Sequence, residues 1–382
     1  MRINRPASLF VSIALLASVV VGYSTTASAA GNPNCDAVDG DYIVSFAPGA
    51  NVDNEIKNAP GRSISPKFTY DAAINGFAAT LNAAQVCAFQ KRPNIKAIEM
   101  DKEVSTSEVS QSWGLDRIDD VSLPLDNTYD YVSTGSGVTA YVIDTGIEVT
   151  HPDFGGRAKL GYSAVGGKAT DCNGHGTHVA GTIGGTKYGV AKRVNLVAIK
   201  VLNCAGSGTN SGVIAGINWV IKNHVNSTAA VANLSLGGGL SQTLNDAVSN
   251  LVSDSVTVVL AAGNENVDAC TRSPASTPTA ITVAASTSAD LMAYFSNYGT
   301  CVDVIAPGVG ITSTWLKSGT NTISGTSMAA PHVAGLAARY LQGNLTAQPG
   351  VVGDALIANS KVSILGTPNA TPYRLVYAAP TN

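Results

Sequence analysis

Four apolar, β-branched runs spaced by helical stretches constrain the fold of this chain more than any other feature. They occupy residues 138–143, 194–199, 231–236 and 256–260. Near-continuous apolar runs of this length suit strands buried on both faces, the situation in a parallel sheet. Helical patterns over residues 211–223 and 244–253 intervene, and parallel strands need such crossovers. The predicted fold class is α/β: a doubly wound, mostly parallel sheet with helices on both faces. Only 13% of residues are charged and 39 are glycine, which fits a large core with many tight turns.

The first residues read as an export signal over residues 1–29. Arg2 and Arg5 give a positive start, residues 7–21 are apolar, and Ala27-Ser28-Ala29 is a small-residue cleavage site. That run is shorter than the roughly 20 residues a spanning helix needs, so the expected location is secreted and extracellular, with no membrane partner. A net charge of -3 without runs of Lys or Arg argues against nucleic acid or anionic lipid as partners. Six cysteines in an exported chain favour disulfides, and the absence of a C-x-x-C pair weighs against zinc. Sequence alone leaves their pairing open.

A polar, aperiodic break at residues 102–112 divides the remainder. Before it, residues 41–46, 76–81 and 95–100 pattern as strands, and Asn82 caps a short helix carrying Val86, Cys87 and Phe89. This predicts a small α+β domain, and a segment of roughly 70 residues is short for independent stability. The expected division is a signal at 1–29, a small domain at 30–105 and a main domain at 106–382.

An acid, a base and a hydroxyl then stand far apart, each among small residues. Asp144 ends an apolar run before Thr145-Gly146, His175 lies between Gly174 and Gly176, and Ser327 precedes an apolar helix over residues 328–341. These are the parts of nucleophilic acyl transfer: a carboxylate to orient an imidazole, a base titrating at about 6.5, and a hydroxyl nucleophile. Open α/β sheets place their sites at strand carboxyl ends, and a helix N-terminus turns unpaired N–H groups toward a developing anion. His178, one helical turn beyond His175, is a rival base, although the zinc motif His-Glu-x-x-His is absent.

In residues and in order, Tyr141-Val142-Ile143-Asp144-Thr145-Gly146, Asn173-Gly174-His175-Gly176-Thr177-His178 and Ser324-Gly325-Thr326-Ser327-Met328-Ala329-Ala330-Pro331 resemble the subtilisin-like serine peptidases. Trp113-Gly114-Leu115-Asp116-Arg117-Ile118-Asp119 resembles the opening of mature enzymes of the proteinase K and aqualysin branch. The resemblance implies the subtilisin fold and a serine endopeptidase, with Ser327 the nucleophile, His175 the base, Asp144 the orienting acid and His178 a structural neighbour. Asn264, after Ala261-Ala262-Gly263, is the implied oxyanion donor. Ser235, Leu236, Gly237, Gly238 and Gly239, with Gly206, Ser207 and Gly208, are the implied edges that receive a peptide as an added strand. Ala262 and Gly263 complete that substrate-binding set, and the glycines leave a first pocket open to apolar or aromatic side chains. The small domain resembles, more loosely, an I9-type ferredoxin-like propeptide that assists folding and inhibits the enzyme until cut near Ser105–Thr106.

The same resemblance implies disulfides Cys172–Cys204 and Cys270–Cys301, with Cys35 and Cys87 left to pair with each other. It implies structural calcium at Pro278, Ala280 and Asp303, and a second site at Asp116, Asp119, Asp120, Asp126 and Thr128. No cofactor is expected for catalysis. The expected partners are protein and peptide substrates and the chain's own propeptide, around a monomer. Two alternatives belong to other classes: a binding protein on an inactive peptidase fold, and an esterase. The four site residues are all present, and the hydrolase motif Gly-x-Ser-x-Gly is absent around Ser327.

Overall fold

The computed structural model describes residues 35, 37–59, 64–105, 113–225, 228–368 and 370–378. The expected signal segment lies outside them, as does the stretch directly after Ser105. Residues 37 onward form one compact unit.

The N-terminal region pairs β1 (Gly40–Phe46), β2 (Pro66–Tyr70), β3 (Gly76–Leu81) and β4 (Ile95–Met100) in the antiparallel order β2-β3-β1-β4, with α1 (Val52–Lys57) and α2 (Ala83–Gln90). Asn82 caps α2 by a reciprocal pair of bonds, accepting from Gln85 N at 2.9 Å and donating its own N–H to Gln85 Oε1 at 3.0 Å. Period-two alternation sends Tyr42, Val44 and Phe46 of β1, with Phe77 of β3, into a local core with Phe89 of α2. Ile43 and Ala78 point the other way, into a core shared with the main domain. The small sheet therefore buries one face only by borrowing a partner.

The chain leaves this sheet through β5 (Glu103–Ser105). These are among the first residues of the expected aperiodic break at 102–112, and three residues of a strand whose partners are remote carry no local pattern; residues 106–112 lie outside those described. The main domain then runs through α3 (Gly114–Asp119), β6 (Thr139–Asp144), β7 (Ala158–Ser163), α4 (His175–Gly184), β8 (Asn195–Lys200), β9 (Gly208–Thr209) and α5 (Asn210–Asn223). It continues with β10 (Ala230–Leu234), β11 (Gly237–Gly239), α6 (Gln242–Ser253), β12 (Val256–Ala261), β13 (Arg272–Ser273), β14 (Ile281–Ser286) and β15 (Val304–Pro307). The last elements are the hairpin β16 (Ile311–Trp315) and β17 (Gly319–Ile323), then α7 (Thr326–Gly343), α8 (Pro349–Asn359), β18 (Val362–Ser363) and β19 (Arg374–Leu375).

Nine of these strands form the main sheet in the order β18-β19-β15-β14-β12-β10-β6-β8-β7, parallel throughout except for the β18–β19 pair. Alternation again sorts the faces. Ala140 and Val142 of β6 join the core that α4 and α7 fill, whereas Tyr141 and Ile143 join the core that α5 and α6 fill. The sheet is thus covered by helices on both sides, as the apolar runs predict. After β6 the chain fills one flank with β7 and β8, then returns to β10 and fills the other. The order reverses between β6 and β10, and the crevice beyond the carboxyl ends of such strands is where doubly wound folds hold ligands.

Candidate active site

Asp144 closes β6 at that crevice, fully buried, and His175 opens α4 directly across from it. His175 Nδ1 meets Asp144 Oδ1 at 2.8 Å, and the same oxygen accepts from Thr145 N at 2.7 Å. An ionised carboxylate can only accept, so Nδ1 carries the proton and Nε2 is the basic nitrogen.

The loop before α4 is fixed by a residue that sequence reasoning missed. Asp171 Oδ1 accepts from Gly174 N at 3.0 Å, Asn173 N at 2.9 Å and Thr145 Oγ1 at 2.9 Å. Its Oδ2 accepts from Thr177 N at 2.9 Å and Thr177 Oγ1 at 2.7 Å. Asp171 thereby satisfies N–H groups of the first turn of α4 and ties them to Thr145, the neighbour of Asp144. An Asp-x-x-Gly spacing before a helix is the one signal that points to it. The Cys172–Cys204 disulfide joins this loop to the turn before β9, and Cys270–Cys301 is formed as well. Both are the pairs implied by resemblance. Neither Cys35 nor Cys87 is a free thiol.

Ser327 is the second residue of α7 rather than the residue before it, which corrects the predicted helix start. Its amide still lies among the first four, which no helix carbonyl receives. Pro331 stands four residues on and has no N–H to give the Ser327 carbonyl. Ser235 Oγ fills that vacancy at 2.9 Å and is itself held by Asn233 Nδ2 at 2.8 Å. Ser327 Oγ in turn donates to Ser235 O at 3.2 Å. The first turn of α7 is therefore locked to the carboxyl end of β10. Asn264 comes in from the end of β12: its Oδ1 accepts from Thr326 N at 2.8 Å and Thr326 Oγ1 at 3.0 Å. With the oxygen so held, the amide NH₂ turns away from the helix backbone as a donor.

His178 is fully buried one turn along α4, with Nε2 on Ile311 O at 2.9 Å, and burial pushes its pKa down to about 3. It stays neutral inside the packing and is set apart from Asp144. The implied structural role fits that placement.

β5 lies between two glycine-rich edges. Ser105 pairs with Gly237, Val104 with Gly238 and Gly208, and Glu103 with Thr209, all antiparallel. Beyond Gly237 the opposing chain leads back through Leu236 to Ser235, so β5 runs toward Ser327. Of the residues expected at these edges, Gly237, Gly238 and Gly208 make the pairing. Gly206 has a φ of +80° in the preceding turn, where Ser207 O accepts from Asn203 N at 2.8 Å. Ser235 and Leu236 are buried behind the edge. Thr209, not expected, extends the second edge, and Gly239 of the expected run pairs with Arg272 of β13. Ala262 is buried, and Gly263, with a φ of +101°, donates to Thr326 Oγ1 at 3.0 Å.

Two carboxylates carry the N-terminal region to that groove. Glu99 accepts from Ser241 Oγ at 2.5 Å, Thr243 N at 2.9 Å and Gln242 N at 3.1 Å, at the N-terminus of α6. Asp101 accepts from Ser211 N at 2.8 Å and from its hydroxyl, in the first turn of α5. Both acids sit where helix dipoles favour negative charge, although burial pushes their carboxyl pKa values up. Asn218 Oδ1 gathers the amides of Asp71, Ala72 and Ala73 at 3.3, 2.9 and 3.1 Å.

Of the expected calcium ligands, Asp116, Asp120 and Asp126 bring carboxylate oxygens within 4.8 Å of one another. Thr128 bonds Asp126 through its N–H and hydroxyl, and Asp119 accepts from Asp130 N at 2.5 Å. Burial, with Asp120 next, raises the Asp116 pKa. Asp303 Oδ2 accepts from Thr282 N at 2.7 Å, and Ala280 N donates to Thr277 O at 3.3 Å; no described contact gathers Asp303 with Pro278 and Ala280.

Comparison with known proteins bears on both the small and the main region of the chain. Residues 135–373 match the subtilase family, and residues 41–107 match the peptidase inhibitor I9 family. An extracellular serine proteinase of Thermus sp. (strain Rt41A) is 55% identical over 294 residues, covering 75% of this chain and 71% of that protein. Alkaline serine exoprotease A of Vibrio alginolyticus is 48% identical over 326 residues; the match covers 83% of this chain but only 61% of that longer relative. The crystal structure of a cold adapted subtilisin-like serine proteinase superposes with a TM-score of 0.68 at 51% identity, covering 70% of this chain and 98% of that one. Among the described residues, no helix is long and apolar enough to cross a membrane.

Proposed function

The chain belongs to the subtilase family and is a serine proteinase carrying an I9-type inhibitor segment, and from that premise we propose a secreted endopeptidase that removes its own N-terminal region. Two observations support it most: Asp144 is bonded to His175, and Asn264 is anchored against Thr326, the neighbour of Ser327 in the first turn of α7.

Ser327 Oγ attacks the carbonyl carbon of the scissile bond while His175 Nε2 takes the hydroxyl proton. Asp144 keeps the imidazole in the required tautomer and stabilises its cation. The tetrahedral oxyanion accepts from Asn264 Nδ2 and Ser327 N. The C–N bond breaks as His175 returns the proton to the departing amine. Water then repeats the sequence on the acyl-enzyme, releasing the acid and restoring the hydroxyl. The glycine edges support strand-wise peptide binding with broad side-chain tolerance and an open first pocket for apolar or aromatic groups. That pairing favours a peptide over a small ester.

The β5 register supports cleavage after Ser105, since the pairing continues an extended strand toward Ser327. Hydrolysis of a denatured protein by wild type and Ser327→Ala tests the mechanism, with N-terminal sequencing of the secreted product. Activity confined to wild type, and a new terminus at Thr106, are expected; equal activity overturns the assignment. Asp116, Asp120 and Asp126 fit a hard cation through oxygen donors, and calcium there relieves their mutual repulsion. A chelator is then expected to lower the unfolding temperature of wild type but not of Asp116→Asn/Asp126→Asn.

A further inference from the structure

The turn that carries Asn264 is gripped from behind by one fully buried side chain, Asn297. Its Nδ2 donates to Ala262 O at 2.9 Å and Glu265 Oε2 at 2.7 Å. Its Oδ1 accepts from Glu265 N at 3.1 Å and Val267 N at 3.0 Å. Its backbone N–H donates to Gly263 O at 2.9 Å. Both amide protons and both lone-pair directions are thus used on residues that flank Asn264 on either side. The orientation is unambiguous, because a flipped amide would set its NH₂ against two N–H donors and its oxygen against two acceptors. The contact is also tight: a Cβ on Gly263 would stand 2.3 Å from Asn297 Nδ2, and Gly263 has a φ of +101°.

Among the described residues, Asn264 itself is hydrogen-bonded through its side chain, to Thr326 at the start of α7. Side-chain direction is therefore set from the nucleophile's helix, and backbone position by Asn297 together with the Gly263 N–H on Thr326 Oγ1. We propose that Asn297 is a positioning residue of the oxyanion hole, fixing the turn so that the Asn264 amide meets the charge that develops in the transition state. This rests on the oxyanion role assigned above to Asn264. A donor placed for the transition state rather than the substrate changes kcat and leaves KM.

The test is a double-mutant cycle on a peptide p-nitroanilide ending in phenylalanine. Asn264→Ala is expected to lower kcat about 10²–10³-fold, a magnitude known from a subtilisin. Asn297→Ala is expected to lower kcat about 10-fold or more with KM unchanged, because a misplaced group forfeits most of its effect. In the Asn264→Ala background the Asn297→Ala loss should vanish. Asn297→Asp keeps the acceptor but faces Ala262 O and Glu265 Oε2 with an oxygen, so it should also lose kcat. Asn297→Asp/Glu265→Gln, which restores a donor, should recover part of it. If Asn297→Ala fails to fold, Asn297→Ser and Asn297→Asp carry the same cycle. Equal losses in both backgrounds, or a loss in KM alone, overturn the positioning role while leaving the oxyanion assignment intact. An unchanged kcat in Asn264→Ala overturns the oxyanion assignment, and this inference with it.

Discussion

The small N-terminal sheet and the large main sheet are patterned alike, yet only the large one closes its own core. The main sheet has helices over both faces. The small sheet has its own helices on one face and leans on the main domain with the other, through Ile43, Ala73, Ile74 and Ala78. Among the polar contacts that fix it there are Glu99 and Asp101 at two helix N-termini, the Asn218 amide, and the Tyr70 hydroxyl on Ser211 O. This construction suits the self-processing proposed above. Removal of the small sheet cuts no strand of the main sheet and none of the bonds around Asp144, His175 and Ser327.

The sharpest way to break that comparison is at the nucleophile. Ser327→Ala should lower peptide hydrolysis about 10⁶-fold, as loss of the nucleophile does in a subtilisin. It should also leave the chain at full length, because the link after Ser105 then has nothing to cut it. Gel mobility and mass spectrometry of the purified variant read both effects. A Ser327→Ala product already cleaved at that link would show that another enzyme does the processing.

Much of this was legible in the sequence, and the reasons are specific. Apolar runs gave the strands of the main sheet because burial on both faces leaves a continuous signal. Asp144, His175, Ser327 and Asn264 lie in short motifs whose small residues are demanded by close packing. Less was legible where structure depends on remote partners. β5 gains its strand from Gly208 and Gly237, far along the chain, and shows no periodicity of its own. Asp171 and Asn297 are single polar residues in loops, and nothing local distinguishes a buried clamp from a turn former. Resemblance supplied the two disulfide pairings, and composition supplied only their number.

The next effect in size separates the regions by stability. Replacing Cys270 and Cys301 by Ser opens a link spanning 31 residues. Chain entropy puts that at about 3–4 kcal/mol. Thermal unfolding of the Ser327→Ala precursor should show the loss in the main domain. A variant as stable as its parent would mean that packing alone holds that loop. Smaller still are the caps of the interface. Glu99→Ala or Asp101→Ala should each weaken the hold on the small sheet by about 1.5–3 kcal/mol, the range for hydrogen bonds to a charged group, with partial burial tending to the lower end. Hydrogen exchange at the Ile43 amide, compared with one in β10, reads the difference. Equal change in both strands would show that the two sheets unfold as one.

Acid offers the most delicate separation, because the buried histidines of the main domain and the interface acids Glu99 and Asp101 respond to it with opposite sign. All five histidines lie in the main domain and none in residues 37–105. Burial pushes His178 to about 3 and His332 to about 4. The unfolded chain takes up these protons near 6.5, whereas the fold refuses them until far lower pH. The contribution of these two histidines to main-domain stability is therefore lost as pH falls from about 6.5 toward 4, and the raised carboxyl pKa values of Asp116, Asp119 and Asp303 offset part of that loss. Glu99 and Asp101 act the other way. Their carboxyl pKa values are raised in the assembled chain, so acid relieves the cost of burying them rather than adding to it. In the Ser327→Ala precursor, lowering pH from 7 to 5 should reduce exchange protection in β10 while reducing that of β1 less, once main-domain unfolding is subtracted. His332→Gln should remove part of the main-domain slope and leave β1 untouched. A slope unchanged by that substitution would place the acid-sensitive group elsewhere and dissolve the contrast between the two sheets.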